Sequence, residues 1–116
     1  MEVIRKTEYT EVLVWDEPGQ GNACHGYTVR KSVGPELPDM TRVDFQNGPI
    51  QENGVNGCQN EDLLAIVIHR LQGFQSGKFL CRENAIALTK IQEALMWLDK
   101  RTSDRKARGV EGMNKQ

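Results

Sequence analysis

Apolar positions in the second half of the chain fall into two helical stripes. Over Asn60–Leu71, Leu64, Val67, Ile68 and Leu71 recur at helical spacing, and Leu63 and Ile66 widen the stripe. That pattern predicts an amphipathic helix buried on more than one side. Asn60 is placed as its N-cap, and Glu61 and Asp62 suit the positive end of the helix dipole. Gly73-Phe74-Gln75-Ser76-Gly77 reads as the stop and a short connection, with Phe74 in the connection between two glycines. A second helix then runs from near Cys81 to about Asp104 or beyond, with no Gly or Pro between Arg82 and Arg108. Its stripe, Leu88, Ile91, Leu95 and Leu98, is spaced 3–4–3 and fits a seam against an antiparallel neighbour. Gly109 follows the last basic cluster and is placed to end the helix. Residues 59–108 therefore read as a helical hairpin and 109–116 as a tail.

The first half has a different period. Thr7–Trp15 and Gly26–Val33 are rich in β-branched and aromatic residues and read as strands. The Pro- and Gly-bearing turn Glu17–Asn22 between them suggests an antiparallel hairpin. Gly34–Asp39 holds two prolines and is unsuited to a central strand. Thr41–Gln46 alternates, with Val43 and Phe45 on one face, and fits a third short strand. Asn47–Cys58, punctuated by Asn-Gly and Gly-Pro, is the clearest loop. The expected class is α+β: one domain over 1–116, with a small antiparallel sheet in 1–46, a loop at 47–58, and the hairpin.

Composition narrows the function classes. Hydrophobic content is 38%, and no run approaches the roughly 18 apolar residues of a membrane span. Met1 is followed by Glu2 and a mixed polar stretch, which does not read as a signal peptide. Three widely spaced cysteines argue for a reducing, cytoplasmic setting rather than a disulfide framework. Residues 1–60 carry nine acids against five bases and residues 61–116 seven against ten, for a net −1. Five of the bases fall in Lys100–Arg108, with Asp99 and Asp104 beside them. This is too little for a non-specific DNA binder. It suffices for one small anionic ligand, or simply for a helix C-terminus.

Candidate chemistry is sparse. Cys24-His25 are neighbours, and side chains adjacent in sequence seldom face each other as nucleophile and base. His69 sits mid-helix without an i+4 ligand partner. No Gly-rich phosphate loop, zinc pattern or paired-carboxylate motif is present. Asn84 lies on the core side of the second helix, either to set register or cap a loop, or to face a base or amide-bearing ligand. Phe74 either plugs the end of the hairpin or offers a platform for a nucleobase. Lys90, Trp97, Arg101 and Arg105 share one broad stripe offset from the seam. That stripe is either an exposed basic face with Trp97 packed beneath the sheet, or a subunit interface whose arginines grip phosphate.

Several motifs together resemble a known family: Phe-Gln-Asn-Gly-Pro-Ile (45–50), Gly-Phe-Gln-Ser-Gly (73–77), Cys-Arg-Glu-Asn-Ala-Ile-Ala-Leu-Thr-Lys (81–90), Ala-Leu-Met-Trp-Leu (94–98), Arg-Thr (101–102) and Arg-Gly-Val-Glu-Gly (108–112). They are similar to the phage-encoded Thoeris anti-defence family, in its first-described type of signal-molecule sponges. The helical hairpin resembles one shared with a phage anti-CBASS sponge. The resemblance covers roughly residues 45–112. It implies a protein without catalysis, cofactor or metal that binds a cyclic ADP-ribose isomer made by bacterial TIR-domain enzymes and holds it uncleaved in the host cytoplasm. It also implies a separate site, in some members, for cyclic di- or trinucleotides of CBASS immunity. The implied assembly is a homohexamer, a trimer of dimers, with the isomer bound between subunits of a dimer, and with neither DNA nor membrane as partner. By motif position Phe74, Asn84 and Arg101 are the main implied contacts, with Arg105 and Arg108 weaker carry-overs. Arg30 is an amino-terminal basic candidate that no motif anchors. Met113 stands where the family pattern has a small or hydroxyl residue.

Two other classes compete with the sponge. One is a nucleotide-degrading enzyme using Cys24-His25 or Glu111. The other is a protein-interaction module presenting the Trp97 face. Asn84 and Arg101 are 17 residues apart on one helix, about 25 Å at the α-helical rise. If both touch one compact nucleotide, they come from different copies of the chain meeting antiparallel.

Overall fold

In a computed structural model that describes residues 1–109 and Gly112, four strands form one sheet: β1 (Glu2–Lys6), β2 (Thr10–Val14), β3 (Gly26–Lys31) and β4 (Asp39–Asp44). They follow in sequence order as an antiparallel meander. Three helices follow: a single turn α1 (Ile50–Asn53), then α2 (Asn60–Gln75) and α3 (Arg82–Ala107). The chain divides into two compact units, Met1–Cys58 and a second beginning at Gln59. The fold class is α+β, a small antiparallel sheet followed by a helical hairpin.

The sheet corrects two sequence expectations. Thr7–Tyr9 is a turn and not the start of a strand. The Thr7 hydroxyl accepts from the Tyr9 and Thr10 amides, and Thr7 N–H donates to Thr10 O at 2.8 Å. The turn lets Glu2–Lys6 pair with β2 as an edge strand that hydropathy gave no sign of, since all five of its residues are exposed. At the other edge β4 begins at Asp39, directly after Pro38. Pro38 precedes the strand, so its missing donor costs no ladder hydrogen bond, and its carbonyl accepts from Lys31 N at 3.0 Å.

One sheet face is tied by long side chains. Leu13 pairs across from Thr28 and Glu11 from Arg30. Thr28, 2% exposed, accepts a hydrogen bond from the indole of Trp15. The guanidinium of Arg42 lies 4.7 Å over the Trp15 ring and pairs with Asp44 at 3.1 Å. The segment 47–58, expected to be plain loop, contains α1 and is laced by amides. Asn47 N–H donates to Asn56 Oδ1 and Asn56 Nδ2 to Asn47 O, both at 2.8 Å. Gln46 Nε2 reaches Gly54 O at 2.8 Å. Gly57 is required here, because a Cβ would lie 2.4 Å from the Phe45 carbonyl carbon.

In the second unit α2 runs four residues past the expected Leu71, through Gly73 and Phe74 to Gln75. A glycine inside a helix costs about 1 kcal/mol, but continuing the helix keeps Leu71, Phe74 and Gln75 on the half-buried stripe with Leu64 and Ile68. The N-cap is Gln59, one residue earlier than Asn60, with its amide donating to Asp62 Oδ2 at 2.8 Å. Cys81 caps α3 by accepting from Asn84 N at 3.4 Å, and Gln75 Oε1 accepts from Cys81 N at 3.1 Å, closing the hairpin. Gly109, at φ +72°, follows the Arg108 C-cap as expected. Leu88, Ile91, Leu95 and Leu98 form the half-buried seam of α3.

The expectation that α2 is buried on more than one side does not hold within one chain. Ile66 is 65% exposed and Val67 is also open to solvent. Among the described residues of this unit only α3 is available to cover α2, and one neighbour covers one stripe. On α3, Met96 and Trp97 are exposed as well. Buried apolar side chains among the described residues are Leu13, Val14 and Ile68. No helix among the described residues is long and apolar enough to cross a membrane.

Candidate functional site

The hairpin's loop end gathers part of the expected site. Phe74 is in the last turn of α2 and not in the connection, because the helix continues through Gly73. Asn84 is the third residue of α3. The Gln75–Cys81 hydrogen bond holds these two helix ends together, so Phe74 and Asn84 share one end of the hairpin. Asn84 is half-buried, and its carboxamide has no hydrogen-bond partner among the described residues. A half-buried amide with its donors and acceptor open suits a heteroaromatic edge or a peptide-like amide.

The α3 arginines lie elsewhere. Arg101 is exposed, unpaired with any carboxylate among the described residues, and about 25 Å along the helix from Asn84 by the rise per residue. α2 has 16 residues and α3 has 26. An antiparallel α2 therefore matches α3 only to about Trp97, and Arg101 sits on the length of α3 beyond it. Lys90, Trp97 and Arg101 do share an outward face. Arg105 does not belong with them. It is half-buried in line with Leu98 and Thr102 and already engaged by a neighbour. At 100° per residue it continues the seam, which the wide stripe expected from sequence obscured. Arg108 is the exposed C-cap residue, its amide donating to Asp104 O at 3.1 Å.

Arg30 is on β3 in the first unit, with Nε 2.5 Å from Glu11 Oε1. Glu11 is 5% exposed. A charge so buried demands its partner, so Arg30 is committed to Glu11 as a structural pair.

The candidate thiol–imidazole pair resolves differently. Asp16 accepts from the amides of His25 (3.0 Å) and Gly26 (3.2 Å) and faces His25 Nδ1 at 3.2 Å. The two backbone donors, His25 first, hold the Asp16 carboxyl below its ordinary value. Cys24 donates to Asp16 O at 3.4 Å. Desolvation, then the carboxylates of Asp16, Glu17 and Glu2, push its thiol up. A nucleophilic cysteine needs the opposite shift. His69 is exposed on α2, and no cluster of three metal-ligating side chains occurs among the described residues. Glu111 and Met113 lie outside the described residues.

Two features escaped the sequence reading. The first is a cleft of about 460 Å³ at the end of the sheet, lined by Trp15, His25, Arg42, Phe45, Asn47 and Asn56. Most of its polar groups are already bonded to one another. The second is Arg70, whose guanidinium carbon lies 5.0 Å from the centroid of Phe74. Its signal was the i,i+4 spacing of Arg70 and Phe74, invisible once the helix was ended at Leu71.

Residues 40–103 match the family model described as the Acb2/Tad1 hairpin domain. The chain is also 53% identical over 94 residues to a protein of Bacillus phage SBSphiJ7 named "Thoeris anti-defense 1", covering 81% of this chain. The aligned stretch spans 63% of that relative's length.

Proposed function

The chain belongs to the Acb2/Tad1 hairpin-domain family, and from that premise we propose that it is a phage anti-defence protein that binds a nucleotide immune signal and holds it unchanged. The proposed ligand is a cyclic ADP-ribose isomer produced by a TIR-domain enzyme, and the proposed place of action is the host cytoplasm. Proposed contacts are Phe74, Asn84 and Arg101, with Arg108 as a further candidate, while Arg30 and Arg105 are engaged within the chain. The reading extends to cyclic di- or trinucleotides at a separate site.

One observation carries the proposal: an aromatic ring and an unpaired carboxamide share one end of the hairpin, while an unpaired arginine stands on the same helix about 25 Å away. Neither half encloses a nucleotide alone. Two antiparallel copies of α3, related by a two-fold axis near Gln92 and Glu93, bring Asn84 of one beside Arg101 of the other. That arrangement also gives the exposed Trp97 face a partner. The self-associated state is thus part of the proposal, a dimer at least and a trimer of dimers in its full form. Base stacking on an aromatic contributes about 1–3 kcal/mol, and charge-assisted arginine–phosphate bonds add to it. A sponge must outcompete the effector, so affinity near nanomolar, about −12 kcal/mol, is the requirement. The raised thiol of Cys24 weighs against the degrading-enzyme reading.

The test is recovery of the ligand. Protein incubated with the NAD⁺-derived product of a TIR-domain enzyme is desalted and then heat-denatured. Intact ligand in the supernatant, near one per site, is the expected result. Loss of the ligand on desalting, or release of a cleaved product only, rejects the reading.

A further inference from the structure

We propose that Arg70 is a ligand contact of this same site, forming with Phe74 a two-layer platform on which the adenine of the bound nucleotide stacks; the inference rests on the nucleotide-binding reading above. The two residues are one helical turn apart on α2, and the guanidinium carbon of Arg70 lies 5.0 Å from the Phe74 centroid. Phe74 is half-buried and Arg70 is exposed, with the guanidinium lying over the Phe74 ring. What this end of the hairpin presents to an incoming base is therefore a guanidinium backed by an aromatic ring. Guanidinium groups stack on nucleobases as aromatic rings do. Stacking leaves the edge N–H donors free for a ribose or phosphate oxygen.

The surroundings leave Arg70 available. It is exposed, and no carboxylate among the described residues pairs with it. Between Arg70 and Asn84 the bases are Arg70, Lys78 and Arg82, and Glu83 is the one acid. The excess of positive charge matches an anionic diphosphate. Asn84, with its open carboxamide at the same end, is placed to read the edge of a base stacked on Arg70. One copy of the chain thus supplies the whole base subsite, Arg70, Phe74 and Asn84, while Arg101 of the second copy serves the phosphates. A plain phenyl platform would accept any base. A cationic one favours a base that sits beside a phosphate.

The experiment is titration calorimetry with the TIR-derived cyclic ADP-ribose isomer on the wild type, Arg70→Ala, Arg70→Lys, Phe74→Leu and the Arg70→Ala/Phe74→Leu double variant. Arg70→Ala is expected to weaken binding roughly five- to hundredfold, the range for one stacked layer. Arg70→Lys keeps the charge and loses the plane, and is expected to recover little. The double variant is expected to be no weaker than Phe74→Leu alone, because the two residues act as one platform. The unliganded Arg70→Ala and Arg70→Lys proteins are expected to melt with the wild type, as Arg70 is exposed. If Arg70→Ala binds as the wild type does while Arg101→Ala has lost affinity, the inference on Arg70 fails and the binding function stands. Full recovery by Arg70→Lys also overturns it, since charge alone would then suffice. If the wild type itself retains no nucleotide, the function fails and Arg70 with it.

Discussion

In the sheet unit Asp16, Gln46 and Asn56 each gather two or more partners within the unit, and even buried Glu11 is matched by Arg30. In the hairpin, Asn84 and Arg101 have open polar groups, and Ile66, Val67, Met96 and Trp97 face solvent. The contrast separates two uses of polar residues. Bonded to each other, they fix a local fold and leave little capacity for a ligand. Left open on rigid helices, they are preorganised for something outside the chain. On the proposed reading, the hairpin is the half that meets a second copy, which would cover its apolar face and complete its polar set.

The strongest way to break this comparison is to ask whether the hairpin's open groups complete one another between copies. Asn84→Ala and Arg101→Ala are each expected to weaken nucleotide binding roughly ten- to hundredfold, the scale of a hydrogen bond to a charged group. Mixing the two variants and allowing subunits to exchange gives hybrid dimers. In a shared site, each hybrid has one site with both residues restored and one with neither. Random pairing then returns wild-type affinity to about a quarter of the sites. A mixture that binds no better than its components places Asn84 and Arg101 outside a common site.

A smaller effect is expected on assembly itself. Trp97 is 59% exposed on the face proposed to meet a second copy. Buried interface tryptophans are typical hot spots, with losses of about 2 kcal/mol or more on removal. Trp97→Glu is expected to weaken self-association roughly 30-fold at that value and to shift the mass measured by light scattering towards the monomer at micromolar concentration. An unchanged mass would show that the exposed face is not the interface.

Much of this was readable in the sequence where the signal was periodic and local. Leu88, Ile91, Leu95 and Leu98 repeat at a spacing that any antiparallel neighbour would use, so the hairpin and its seam were legible. Boundaries failed where packing overrode propensity. Gly73 looked like a stop, but keeping Phe74 on the α3-facing stripe outweighs the cost of one glycine. β1 was missed because Glu2–Lys6 has no buried face of its own, and its pairing to β2 is what makes it a strand. Arg105 was assigned to the wrong face because at the period of 3.6 a broad stripe runs into the seam. The Asp16–His25 contact joins residues nine apart across a turn, and no local rule reports it. Of the proposed site, motif positions name the candidate residues. Which of them share an end of the hairpin required the helix boundaries.

The smallest expected effect tests the other half of the comparison, that the sheet unit's polar groups serve its own fold. Asp16 sits just after β2 and accepts from the His25 and Gly26 amides where β3 begins. Those donors favour the carboxylate, so its folded pKa lies below the unfolded one, near 4. A group depressed in this way stabilises the fold at pH values above its unfolded pKa, and that contribution is lost as the pH falls through the folded one. Asp16→Asn keeps one acceptor oxygen and loses the charge. It is therefore expected to melt below the wild type at neutral pH, and the two melting curves should converge as the pH drops below about 4. The side chain is partly exposed and its interactions are screened, so the gap is modest and its pH dependence is the informative quantity. Nucleotide affinity is expected to be unchanged, because Asp16 belongs to the unit that holds none of the three main proposed contacts. A gap that persists unchanged to pH 2.5 would mean that the carboxylate's charge contributes nothing there. A loss of nucleotide affinity in Asp16→Asn would mean that the sheet unit takes part in the site, and the division of labour between the two units would not stand.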